Sequence, residues 1–180
     1  TVVTSAAAAY AFARGNFIGK NVLFALLMLI LMVPLEARIV PTFIVMSRLG
    51  LINTYTVLIG PAFASIYGTF MLRQYFLGIP RDYDDAAKVD GATKFQTFLN
   101  VLLPQLKPAV ATLAVLRFMQ VWNMFLYPLV MTTRAELRTL TVGLSSMEIS
   151  GTVEVGAAGF TMAGAMIGFL PTFIVFLLGQ

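Results

Sequence analysis

The sequence predicts an all-α, polytopic membrane protein, and three observations carry that reading. Charged residues are 11% of the chain and hydrophobic residues 59%, against about 25% and about 45–50% in soluble domains. Apolar runs long enough to cross a bilayer as helices recur along the chain. The charges fall mostly between those runs, most densely in the island Pro80–Ala92. Cysteine and histidine are absent, which argues against disulfides, thiolate chemistry, the usual zinc sites and a Ser-His-Asp arrangement. No cofactor, no metal and no catalytic residue are expected. The net charge of +4 comes from 12 Lys and Arg against 8 Asp and Glu. These are scattered and form no basic stripe, so no nucleic-acid role is expected.

Taken in order, residues 1–13 are apolar but fewer than the roughly 20 helical residues that cross a hydrocarbon core. They lack the basic start of a signal peptide and read as the end of a spanning helix. Further spans are expected at 21–47, 54–76, 104–130 and 155–179. In the first of these, Pro34 and Pro41 flank Glu36 and Arg38. Each proline removes a backbone hydrogen bond, so a kink or break is expected there, with the two charges at the end of the first half or facing a cavity. The last span is the clearest: its Val, Ile, Leu and Phe residues sum to about −3 to −7 kcal/mol of insertion free energy before polar offsets. Two hydrophilic stretches remain, 80–103 and 131–154. With 80–103 in the cytoplasm, seven Lys and Arg lie inside, four outside and Arg117 within a span, in keeping with the positive-inside rule. The 131–154 stretch is then an extracytoplasmic loop, and 1–180 reads as a single membrane domain.

The island has the grammar of a rigid knuckle. Pro80 suits a first helical turn, Asp82, Asp84 and Asp85 favour the positive end of a helix, and Gly91 suits a left-handed closing residue. Thr93 with Gln96 reads as a capping box that opens a second helix. Elsewhere, Arg117 costs about 2.5–3.5 kcal/mol at a helix centre. It reads as a contact to solute or to a gating carboxylate such as Glu36, or as a side chain snorkelling into an aqueous cavity. Trp122, Phe125 and Tyr127 cluster either as a solute-stacking path or as interface anchors. Gly164 and Gly168 form a Gly-x-x-x-Gly face for helix packing. Gly15–Asn21 departs from a phosphate loop, with three residues between the glycines and Asn21 where Ser or Thr holds magnesium. No nucleotide hydrolysis is therefore expected of this chain.

From Asp85 the order is Asp-Ala-Ala, three residues, Gly91, nine residues, then Val101-Leu102-Leu103-Pro104. This resembles the Glu-Ala-Ala loop of binding-protein-dependent ABC importer permeases, with Asp85 in place of Glu and Val101 in place of Ile. Ala9–Arg14, Met32–Pro34, Ser47–Thr54, Arg73–Phe76, Val121–Asn123 and Leu140–Leu144 are similar to the smaller permease subunit of maltose-type carbohydrate importers, though Met124 stands where that family often has Asp. The resemblance implies a type I ABC importer permease fold with a cytoplasmic coupling helix, here lacking the first spanning helix and the C-terminal tail. It implies ATPase coupling through Asp84, Asp85, Ala86, Ala87, Asp90, Gly91, Ala92 and Pro104. A substrate path is expected at Arg117, Trp122, Asn123 and Glu36. The implied partners are an ATP-binding subunit dimer, a second permease subunit in a heterodimer, an extracytoplasmic solute-binding protein and the lipid bilayer, in a bacterial or archaeal plasma membrane. The implied activity is transport of a sugar or sugar-like solute, not enzymatic conversion. The alternatives are a glycerol-phosphate importer and an ion-coupled secondary transporter or channel.

Overall fold

The computed structural model describes residues 1–149 and 157–178; residues 150–154 of the predicted outer loop and 155, 156 and 179 of the last predicted span lie outside the described residues. The helices are α1 (Val2–Arg14), α2 (Lys20–Leu31), α3 (Leu35–Arg48), α4 (Tyr55–Ile59), α5 (Ile66–Gly78), α6 (Asp82–Val89), α7 (Lys94–Gln96), α8 (Leu103–Gln105), α9 (Lys107–Trp122), α10 (Leu126–Met131), α11 (Leu140–Ile149) and α12 (Ala157–Leu178). No strand occurs among the described residues. The stretch read as one domain contains two compact units, Thr1–Pro34 with Ala62–Ala114, and Leu35–Pro61 with Val115–Gln180.

The helices are less continuous than the sequence reading has them, and prolines account for much of the difference. The 21–47 stretch divides at Met32–Pro34, whereas Pro41 is accommodated inside α3. The 54–76 stretch is interrupted by a 3-10 turn, Gly60–Ala62, that contains Pro61. The 104–130 stretch is a correction: it holds α8, α9 and α10, with breaks at Leu106 and at 123–125. Pro104 lacks an N–H and its ring crowds the carbonyl of Asn100, so the turns before it widen into a π-helix over Thr97–Leu102. Pro108 then sits at the second position of α9, where an N–H would be unpaired in any case. The 131–154 stretch is not bare loop either, since α11 lies within it. By length and composition, Tyr55–Gly78 suffices to cross a membrane, with 24 residues and a mean hydropathy of 1.4. The α2–α3 pair and Lys94–Gln105 with α9 suffice if each pair is one broken span, and α12 contributes the shorter apolar run Met162–Leu178.

In the first unit α1 lies along α5, and what lets them approach is size. Ala6, Ala9 and Ala13 make a small buried stripe on α1, and a Cβ at Gly68 of α5 would lie 3.0 Å from both Ser5 Oγ and Leu113 Cδ2. Leu72, Phe76, Phe98, Leu102 and Leu113 close the core around this contact. The hydroxyls of α1 also satisfy backbone that the break before α5 leaves open. Thr1 and Thr4 donate to the carbonyls of Ala62 and Phe63, and Ser5 donates to that of Ser65 at 3.3 Å. In a bilayer no water can do that work. Ser65 in turn caps α5 by accepting from Gly68 N–H at 3.0 Å.

The second unit has a core of Ile39, Val57, Tyr127 and Met131. Asn53, at φ +59, clasps the segment after α10: its Oδ1 accepts from Thr133 N–H at 2.6 Å and Arg134 N–H at 3.1 Å. Asparagine tolerates that left-handed backbone better than most residues. In α11 and α12, a Cβ on Gly164 would overlap Leu144 Cδ2, and one on Gly168 would lie 3.5 Å from Leu140 Cδ2.

The α1–α5 contact leaves no room for a longer side chain at Ala9, which has no exposed surface. Ala9→Leu is expected to destabilise the first unit by about 1–3 kcal/mol, read as a lower thermal midpoint of the detergent-solubilised protein, whereas Ala9→Ser should be tolerated.

Candidate functional site

The knuckle is built from local rules that the structure displays bond by bond. α6 opens when Arg81 C=O accepts from the N–H groups of Asp84 at 2.8 Å and Asp85 at 3.1 Å. Pro80 stands ahead of the helix rather than in its first turn. At the far end Gly91 takes φ +78. Gly91 N–H donates to Lys88 C=O at 3.1 Å and Ala92 N–H to Ala87 C=O at 2.9 Å, the paired bonds of a Schellman closure. Two residues on, Thr93 and Gln96 complete a reciprocal capping box, with Thr93 N–H to Gln96 Oε1 at 2.8 Å and Gln96 N–H to Thr93 Oγ1 at 3.3 Å. Each end of the turn is thus fixed by two hydrogen bonds.

What roots the knuckle is a cluster at the C-terminus of α1. Arg14 Nε lies 3.0 Å from Asp84 Oδ2, as an ion pair rather than a directed hydrogen bond, and Arg14 Nη2 donates to Ile79 C=O at 2.6 Å. It is the ion pair recorded among the described residues, and the Arg14 side chain is 8% exposed. The last carbonyls of α1 are met by cations, as a helix C-terminus favours. Arg73 Nε donates to Phe12 C=O at 3.3 Å, and Lys20 Nζ to Gly15 C=O at 2.9 Å. Arg73 also sits 4.1 Å over the Phe24 ring. Tyr10 Oη donates to Lys94 C=O at 3.2 Å, tying α7 to the same root.

This geometry separates the predicted coupling residues into two sets. Asp85, Ala86, Asp90, Gly91 and Pro104 are exposed and Ala92 is half-buried. Asp84 and Ala87 are turned to their own chain: Asp84 pairs with Arg14, and Ala87 is 6% exposed. Three apolar side chains that the motif does not include stand out beside them, Tyr83, Val89 and Phe95, at 46%, 87% and 68% exposure. Their signal in the sequence is their place: large apolar residues inside a hydrophilic island.

The predicted substrate residues fall in the second unit. Glu36 is exposed, and the pairing of Arg117 with it is not found; Arg117 Nη1 donates instead to Gln120 Oε1 at 2.5 Å, one helical turn on. Tyr127 is also corrected as a stacking surface, because it is 5% exposed and donates to Val57 C=O at 3.0 Å. Trp122 and Asn123 do line a common cavity, of about 280 Å³, with Thr141, Gly168 and Thr172. Trp122 stacks on Phe118 at 5.6 Å between ring centroids and donates its indole N–H to Gly168 C=O at 2.8 Å.

An all-α membrane protein with broken spans and a capped, charged elbow describes the transmembrane part of a transporter. The chain belongs to the family of binding-protein-dependent transport system inner membrane components, whose pattern matches residues 2–180. It is 36% identical over its full length to the arabinooligosaccharides transport system permease protein AraQ of Halalkalibacterium halodurans, covering 63% of that protein. It is 37% identical to the sn-glycerol-3-phosphate transport system permease protein UgpE of Pectobacterium atrosepticum, over 99% of this chain and 63% of that one. It thus spans a little under two thirds of the length of these relatives. A crystal structure of a bacterial ABC transporter involved in the import of the acidic polysaccharide alginate contains a chain that superposes with a TM-score of 0.81, at 28% identity, over 98% of this chain and 68% of that one. The fold is accordingly the all-α fold of an ABC importer permease.

If Arg14 roots the knuckle through Asp84, breaking the pair loosens α6 without unfolding α1. Arg14→Gln and Asp84→Asn are each expected to speed amide exchange across residues 82–92 by about ten-fold, on the order of 1–2 kcal/mol for a partly buried charged contact. The two effects should be strongly non-additive in the double variant, as a double-mutant cycle on exchange rates would show.

Proposed function

We propose that this chain is the membrane subunit through which a separate ATPase drives import of a carbohydrate or related polyol. The observation that carries the reading is the division of the knuckle. Its root is fastened by Arg14, Ala87 and Tyr10, and its outer edge offers Asp85, Ala86, Asp90 and Gly91 beside exposed Val89 and Phe95. A mobile connector would absorb displacement, whereas an elbow capped at both ends and pinned at its base passes it on. Small residues at the edge let another backbone approach closely, and the apolar pair gives such a partner something to bury. Residues 80–103 are then cytoplasmic, and 131–154 faces the opposite side, where a solute-binding protein docks. A second permease subunit completes the path, in the plasma (inner) membrane of a bacterium or archaeon. Arabinooligosaccharide and glycerol-phosphate permeases among the relatives support a hydroxylated solute, and family membership favours ATP coupling over an ion gradient.

Gly91 tests the coupling reading because its φ of +78 is strained for any residue with a Cβ, while nothing lies within 4 Å to clash with one. Replacement by Val is expected to cost about 1–2 kcal/mol locally. In proteoliposomes holding the whole complex, Gly91→Val should leave membrane insertion intact, weaken ATPase retention on the permease, and lower uptake per ATP hydrolysed several-fold. Wild-type retention and stoichiometry would refute the coupling role.

A further inference from the structure

Five threonines of this chain share a habit that Thr172 does not follow. Thr42, Thr69, Thr97, Thr112 and Thr132 each donate the hydroxyl to the carbonyl four residues back, at 2.8–3.1 Å. Thr172 has no hydrogen-bond partner for its hydroxyl, although that oxygen is buried. The carbonyl four residues before it belongs to Gly168, and that oxygen accepts the indole N–H of Trp122. An unpaired hydroxyl in an apolar helix costs free energy that an ordinary packing role would not demand.

Thr172 lines the 280 Å³ cavity with Trp122, Asn123 and Thr141. Turning about χ1 costs the Thr172 hydroxyl no existing hydrogen bond. Asn123 donates its Nδ2 to Met119 C=O at 2.8 Å, which leaves Oδ1 as an acceptor. Trp122, held at its edge by Gly168 and on one face by Phe118, is a rigid aromatic wall. None of the lining residues is ionisable, and Arg117, whose Nη1 donates to Gln120 and whose Nε is unpaired, is not among them. A phosphate placed here would be desolvated with no counter-charge. The volume falls just below that of pockets for drug-sized ligands, so it suits one sugar ring at a time.

We infer that this cavity is a subsite for one ring of a neutral, hydroxyl-rich solute, in which the Thr172 hydroxyl and Asn123 Oδ1 meet solute hydroxyls and Trp122 supplies the flat wall. The inference rests on the importer reading and separates neutral sugars from phosphorylated polyols within it.

The test uses the complete complex in proteoliposomes with saturating binding protein and two probes, radiolabelled arabinotriose and sn-glycerol 3-phosphate. Because the binding protein sets half-saturation, a subsite in the membrane is read in the maximal rate. ATP-dependent arabinotriose uptake is expected, with its maximal rate roughly five-fold lower in Thr172→Val, the usual worth of one hydrogen bond, and restored in Thr172→Ser. Ala165→Leu, which fills the cavity from an exposed position, should lower the rate at least as far and guards against a folding defect in the valine variant. Unchanged maximal rates in Thr172→Val and Ala165→Leu would overturn the subsite. Uptake of sn-glycerol 3-phosphate without arabinotriose, or of neither, would overturn the neutral-ring assignment while leaving importer function standing. Uptake of either probe without the ATPase would overturn the importer reading itself.

Discussion

The first unit depends on how the C-terminal end of α1 is satisfied. A helix leaves its last four carbonyls without partners, and in an apolar setting they must be met by side chains. Arg73 and Lys20 reach back to that end from α5 and from the start of α2. Arg14, the last residue of α1, is thereby released from capping its own helix and projects to Ile79 C=O and Asp84. One helix end thus gathers three cations, of which two neutralise it and the third holds the elbow.

A second constraint appears in both units: at several interruptions of the helices, a hydroxyl or amide side chain takes over freed backbone. Thr1, Thr4 and Ser5 serve the break before α5, Thr54 caps α4 by accepting from Val57 N–H, and Asn53 serves the segment after α10. At these interruptions the replacements come from neighbouring helices and turns, which suits a broken span to a membrane. Close approach is the price of that arrangement, and the alanine stripe of α1 with Gly68 makes it geometrically accessible.

Much of the elbow was legible in the sequence because its rules are local. A left-handed Gly91 and a Thr93–Gln96 capping box depend on residues within one or two turns, and the structure shows both. Helix class and the apolar runs were legible for the same reason. Continuity of the 104–130 stretch was not, since hydropathy averages over Pro104 and Pro108 without registering what their rings displace. The division of labour between Asp84 and Asp85 was equally hidden: two adjacent aspartates look alike until Arg14, seventy residues earlier, selects one. The same holds for Thr172, whose hydroxyl is unpaired while the carbonyl one turn back, that of Gly168, accepts from a tryptophan fifty residues away from it in sequence. Long-range competition for one atom has no periodicity to read.

That selection bears on the departure of Asp85 from the Glu of related loops. With Asp84 committed inward, Asp85 and Asp90 are the carboxylates of the motif that remain open on α6 and its cap. Aspartate is one methylene shorter, so under the proposed function a cationic group on the ATPase must come nearer the helix axis to pair with it. Ala86 and Gly91 on the same exposed edge present little bulk to prevent this, and Gly91 has open space around it. A shorter acid is therefore compatible with coupling where its neighbours are small. It would not be so beside a bulky residue at either position, which makes the small residues of this edge a condition for the aspartate rather than an independent feature of the loop.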